Sequence, residues 1–340
     1  MEAVVREQPV EVVARRRSLR VSLEALTFMS PTMLLVTLFF FVPVLLLLWI
    51  SLTNLSSNTF GNPLCVGGVR DVCESLGIRA GGVEFVGLSN YRRLFSDRFF
   101  PKILRNTLFY VFSTLTLFNV GLALVLALLT THIERRAGFL FRAIWLLPRI
   151  TPSVIYIMMW KRIAADAPFG ILNQFLTPVG VEPRFWLREA PWLFVIVTNG
   201  FVGASFGMLI FSSAIESIPR DYIMAAKVDG ATTLQIIRTI IIPLIKWPLL
   251  FVTTYQTLSL LASFEYILLL TNGGPGLYRT EVWSLTAYHR ALQTYFGNNQ
   301  WGYGAAWGFV LVVIGIIFSI IYLRVFRFNE LVQEPKIDAL

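Results

Sequence analysis

Charge is what this sequence has least of. Only 14% of its 340 residues are Asp, Glu, Lys or Arg, 56% are hydrophobic, and mean hydropathy is +0.66. Soluble domains carry about 25% charged residues, and a surface facing water cannot be covered by so few. The chain is therefore expected to be an all-α integral membrane protein. Chemistry-bearing residues are scarce too. The two histidines, His132 and His289, stand alone, and no Cys, His, Asp or Glu grouping has metal-ligand or nucleophile–base spacing. No catalytic residue and no metal site are expected. A G-x-x-x-x-G-K-[ST] run is absent, so the chain is expected to hold neither ATP nor Mg itself. The acidic shortfall leaves a net charge of +9. The basic residues are spread over the connections, which suits anionic lipid headgroups rather than nucleic acid. The only cysteines, Cys65 and Cys73, fall in one connection. They are either a disulfide, if that side is oxidising, or two free thiols in a Gly-rich insert.

What is abundant is long apolar runs. A helix needs roughly 20 residues to cross about 30 Å of hydrocarbon, and about six such runs occur, near 29–52, 104–130, 139–161, 191–216, 247–270 and 304–326. The first is too long for a signal-peptide core and is expected to stay in place. Pro148 and Pro152 are expected to interrupt the third. Arg6, Arg15, Arg16, Arg17 and Arg20, the 131–142 and 217–246 connections, and Arg324, Arg327 and Lys336 in the tail would share one side. By the excess of Lys and Arg, that side is cytoplasmic and holds both termini. The expected organisation is a cytoplasmic segment 1–28, a first span with an outer loop and surface helix 29–103 (insert 56–82), a core 104–327, and a tail 328–340.

The 217–246 connection, which contains DYIMAAKVDGATTLQIIRTIIIPLI, is charged and punctuated. Ser217 and Pro219 suit a helix start. Asp229-Gly230 suits a break, because Gly takes a left-handed conformation at little cost. Thr232 and Gln235 match a capping box. A helix–Gly turn–helix is predicted: either a hairpin on the membrane surface or a docking element for a cytoplasmic partner.

This stretch resembles the EAA loop of binding-protein-dependent ABC importer permeases, through Ala225, Ala226, Asp229, Gly230, Ala231 and Pro243. Met224 stands where that family usually has Glu. EFVGLSNYRRLF, RAIWLLPRITPSVIYIMMWKRI, FGILNQFL and FEYILLLTNGGPG resemble the sugar-importer branch, with Thr271, Gly273, Gly274 and Pro275 in a T-x-G-G-P element. The resemblance implies a type I ABC importer permease fold with a cytoplasmic coupling helix. It also implies partners: a second permease subunit in a heterodimer, two cytoplasmic ATPase subunits holding the ATP and Mg, and an extracytoplasmic solute-binding protein. Tyr222, Met224, Ala225, Ala226, Asp229, Gly230 and Ala231 would form the ATPase-coupling surface. Transport of a sugar or related polyol would proceed by alternating access. A polyol phosphate or an ion-coupled transporter are the rival readings.

In the resembling family, solute contacts flank that loop. Here those faces offer Asn199, Gly203 and Phe206 before it, and Gln256, Ser259 and Ser263 after it, the last three at i, i+3 and i+7 on one helical face. A polar stripe in a span faces protein or water, so these residues either meet solute or join helices. Gly203/Gly207 and Gly304/Gly308 have the G-x-x-x-G spacing of close helix packing. Arg149 and Glu265 are intramembrane charges, expected at different depths and unpaired with each other.

Overall fold

The computed structural model describes residues 19–57, 59, 75, 82–293 and 299–326. Cys65 and Cys73, most of the 56–82 insert, Arg327 and the tail lie outside them. Among the described residues there is no strand, only an isolated bridge between Thr53 and Phe85.

The first compact unit extends to Leu47. Its helix enters α1 (Thr27–Ser51), which has a mean hydropathy of 2.8 and is long enough to cross a membrane. The helix loosens to a π turn over Thr37–Phe41, just before Pro43, whose missing N–H leaves a gap in the i→i−4 ladder. The same pairing recurs later, where a π turn over Ile237–Ile241 precedes Pro243.

The second unit, Leu48–Leu340, holds the rest. Its helices are α2 (Ser89–Phe95), α3 (Phe100–His132), α4 (Arg135–Ile150), α5 (Ser153–Ile163), α6 (Ile171–Leu176), α7 (Pro191–Glu216), α8 (Arg220–Val228), α9 (Thr233–Leu244), α10 (Lys246–Ala262), α11 (Glu265–Leu270), α12 (Trp283–Leu292) and α13 (Trp301–Val325). Counting α1, four helices among the described residues (α1, α3, α7 and α13) are long and apolar enough to cross a membrane. The number becomes six if the bent pairs α4–α5 and α9–α10 each form one span. The bend between α4 and α5 is 96°. Its cause is Pro152, which pushes Thr151 into the extended region (φ −73°, ψ 136°). Pro148, expected to interrupt the span as well, is carried inside α4 without a break.

The expected fifth span, 247–270, is not continuous. The chain leaves the helix at Ser263 (φ −74°, ψ 118°) and Phe264, and α11 starts afresh. Ser263 is therefore not on a helical face with Gln256 and Ser259. Gln256 is buried and Ser259 is exposed, so these two part as well.

α7 is the central post, buried along much of its length. Gly203 and Gly207 let α3 approach: a Cβ on Gly203 would run into the Asn119 side chain, and one on Gly207 into the Asn119 carbonyl and Ala123. This is the small-residue packing that membrane helices rely on where water drives nothing together. Gly304 does the same for α13, whose backbone comes against Ala291 of α12.

Candidate functional site

The helix pair α8–α9 forms at one end of the bundle for local reasons. α7 ends with Ser217 Oγ donating to the Ala214 carbonyl at 2.7 Å. Ser217 thus closes α7 and does not cap α8, whose N-cap is Pro219 (φ −55°, ψ 130°). Asp229 ends α8 and Gly230 turns the chain at φ +78° with open space around it. Thr232 then starts α9 with a complete capping box: its Oγ1 accepts from Gln235 N–H at 3.4 Å, and Gln235 Oε1 accepts from Thr232 N–H at 2.7 Å. Two orphan donors at the new helix start are thereby satisfied.

The pair has two faces. Ile223, Ala226, Ala231 and Ile236 pack on Phe211, Ile215, Ile218, Ile241 and Ile245 at the end of the bundle. The other face presents Tyr222, Met224, Ala225, Val228, Asp229 and Leu234 to the surroundings, with Val228 85% and Leu234 73% exposed. Beside it an open cleft of about 570 Å³ is lined by Arg135, Arg142, Glu216, Arg220, Met224 and Lys227, among others. Arg142 is tied across it to Glu216 at 2.5 Å.

Four of the residues expected to meet solute make hydrogen bonds between elements of the bundle. Gln256 is buried, and its Nε2 donates to the Gly203 carbonyl at 2.8 Å, linking α10 to α7. Asn199 Nδ2 donates to Tyr110 Oη and, at 3.2 Å, to Ser263 Oγ, knitting α7 to α3 and to the break after α10. Phe206 and Ser259 lie on a different face. Phe251, Tyr255 and Ser259, at i, i+4 and i+8, are exposed along one side of α10. Phe206 of α7 packs against this row, 4.9 Å from the Tyr255 ring and 6.3 Å from that of Phe251. The Arg149 guanidinium at the end of α4 lies over Phe206, 5.1 Å from its centroid. Arg149 makes no ion pair among the described residues, and Glu265 is instead held by Ser153 Oγ at 2.6 Å.

The family model for the binding-protein-dependent transport system inner membrane component matches residues 98–328. The chain belongs to this family. It is a multi-pass inner-membrane transport component, and such a component works with a solute-binding protein. Similar proteins include the trehalose/maltose transport system permease protein MalF of Thermococcus litoralis, 31% identical over 248 residues, covering 72% of this chain and 81% of that protein. The probable ABC transporter permease protein y4oQ of Sinorhizobium fredii is 29% identical over 318 residues, 93% of this chain and 94% of its own length. The fold matches that of a bacterial ABC transporter involved in the import of the acidic polysaccharide alginate, with a TM-score of 0.70 at 22% identity over 91% of this chain and 96% of that one.

Within this permease, the match takes in the helix pair, the wall of Phe206, Phe251, Tyr255 and Arg149, and the T-x-G-G-P turn. Of this wall, Phe206, Ser259 and Arg149 are singled out by the sequence, whereas Phe251 and Tyr255 are not; their signal is the i, i+4, i+8 spacing with Ser259.

Proposed function

We propose that this permease is the membrane-spanning half of an ATP-driven importer for a sugar or related polyol, and that α8–α9 is the element through which ATPase subunits move it. It would pair with a second permease, sit above two ATPase subunits holding ATP and Mg, and receive solute from its binding protein. The observation that carries the coupling role is the exposed apolar face of the pair, Tyr222, Met224, Val228 and Leu234, beyond the ends of the spans. On the cytoplasmic side, where the Lys/Arg bias puts it, such a face calls for a protein partner. The saccharide reading is supported by the relatives, several of which are named for sugar transport. Alternating access follows from differential binding: nucleotide must favour one arrangement of the spans over another, and the pair is packed onto the end of the bundle where such a bias can enter.

The test is Gly230→Val. A β-branched residue at φ +78° is strained by its backbone alone, by about 1–2 kcal/mol or more. The variant is expected to insert normally, to lose co-purifying ATPase and to lose ATP-dependent uptake. Normal uptake with the ATPase still bound would remove the coupling role from the pair.

A further inference from the structure

The wall on α7 and α10 carries a charge that forms no ion pair among the described residues. Phe206 stands 15 residues after Pro191 and 10 before Glu216, or about 22 Å and 15 Å of helix rise, which puts it near mid-membrane. Arg149 is exposed, lies over this ring and meets no carboxylate among the described residues. An arginine left against lipid at that depth costs about 3 kcal/mol even on insertion scales, so this face is turned to water or protein. The rest of the face says which. Phe251 and Tyr255 are aromatic and exposed, and Ser259 adds a hydroxyl in the same row. Among the residues expected to bind a neutral polyol, the Asn199 and Gln256 amide nitrogens and the Gly203 carbonyl are engaged between helices.

We propose that this wall lines the solute path and that Arg149 selects a saccharide bearing an anionic group, a carboxylate or a phosphate. A guanidinium lying over a ring face retains N–H donors, and two of them can pair with two oxygens of one anion. The Phe206, Phe251 and Tyr255 rings offer apolar faces for the C–H surfaces of the sugar. The inference rests on the saccharide-importer function and narrows it to acidic substrates.

The test uses the complete transporter, with partner permease, ATPases and solute-binding protein, in proteoliposomes. ATP-dependent uptake is measured for trigalacturonate, glucose 6-phosphate and maltotriose. The wild type is expected to take up one of the two anions in preference to maltotriose, and which one identifies the anionic group. Arg149→Gln is expected to raise the half-saturating concentration of that anion by about tenfold or more, a larger change than for maltotriose, with the partner permease and ATPases still co-purifying. Arg149→Lys, which keeps the charge and loses the fork, is expected to fall between. Uptake of maltotriose with rejection of both anions overturns the proposal and leaves the importer function standing. So does an unchanged anion response in Arg149→Gln. Loss of the partner permease from Arg149→Gln, with uptake of all solutes falling alike, overturns it by assigning Arg149 to an acid on that subunit. If the wild type shows no ATP-dependent uptake of any of the three, the saccharide-importer function itself falls.

Discussion

The two ends of the permease are held in opposite ways. At the T-x-G-G-P end, polar atoms cross-link the chain over long sequence separations. Asn106 of α3 donates to the carbonyls of Tyr278 and Glu281, each at 3.0 Å, and Lys102 donates to that of Leu277 at 2.7 Å. Arg279 Nη1 and Nη2 donate to the carbonyls of Arg188 and Glu189 at 2.9 and 3.1 Å. Thr271 and Thr280 hydroxyls meet at 2.8 Å. Buried Glu281 accepts from Thr286 at 3.1 Å and lies 3.0 Å from His289 Nδ1, while Trp283 donates to the Trp307 carbonyl at 2.7 Å. At the other end, the side-chain hydrogen bonds of α8–α9 are local, and the pair is held to the bundle by apolar contact. A directional network of hydrogen bonds resists sliding, because each buried bond that breaks leaves a costly unpaired group. An apolar contact has no direction and lets packed elements shift. The first end is built as a fixed clamp and the second as a joint.

The comparison breaks most readily at Asn106. Replacing it with Leu keeps the size and leaves the Tyr278 and Glu281 carbonyls without their donor. At about 1–3 kcal/mol per buried unsatisfied group, the loss is expected to be several kcal/mol, seen as a fall in the melting temperature of the detergent-solubilised permease. A melting temperature unchanged within error would mean that the clamp is not what stabilises this end.

A charge on the joint is expected to do the reverse. Val228→Asp and Leu234→Asp alter the most exposed apolar side chains of the pair. Neither should move the melting temperature by more than a surface substitution does, about 0.5 kcal/mol. Each should weaken ATPase binding by about tenfold, since burying an unpaired carboxylate in an interface costs several times the value of the lost contact. Binding of the purified ATPase to the permease in nanodiscs reads this directly. Equal ATPase binding by wild type and both variants would place the docking face elsewhere.

The joint was far more legible in the sequence than the wall, for a physical reason. Caps and turns are set by residues within four positions of each other, so Asp229-Gly230 and Thr232/Gln235 announced the break and the restart before any tertiary contact was known. The spans were legible too, because hydropathy is additive along a helix. The break in the third span is signalled by Pro152, while the one at Ser263-Phe264 carries neither Pro nor Gly. With that break unseen, Gln256, Ser259 and Ser263 read as one polar stripe. Gln256 instead turns inward, because Gly203 offers a bare carbonyl across the helix contact, and only the packing of α7 against α10 reveals that. Ser217 misled for a similar reason: a Ser before a helix and a Ser after one look alike in sequence, and here its hydroxyl reaches back to Ala214.

The smallest effect sharpens the comparison most. Thr232→Ala removes the hydroxyl that accepts from Gln235 N–H, while Gln235 Oε1 keeps the backbone N–H of residue 232. An N-cap of this kind is worth about 1 kcal/mol. In a clamp, that loss would be shared through the surrounding bonds and appear in global unfolding. In a joint, it is spent locally: the first turn of α9 frays while the apolar contact of Ile236 with the bundle persists. The variant is therefore expected to melt with the wild type and to show faster amide exchange confined to Thr233–Ile236. Its ATPase should bind several-fold more weakly, because the pair must re-form its turn before it docks. Exchange spreading into α7 and α10 would show that the pair is bonded into the bundle as firmly as the opposite end, and the distinction between clamp and joint would be lost.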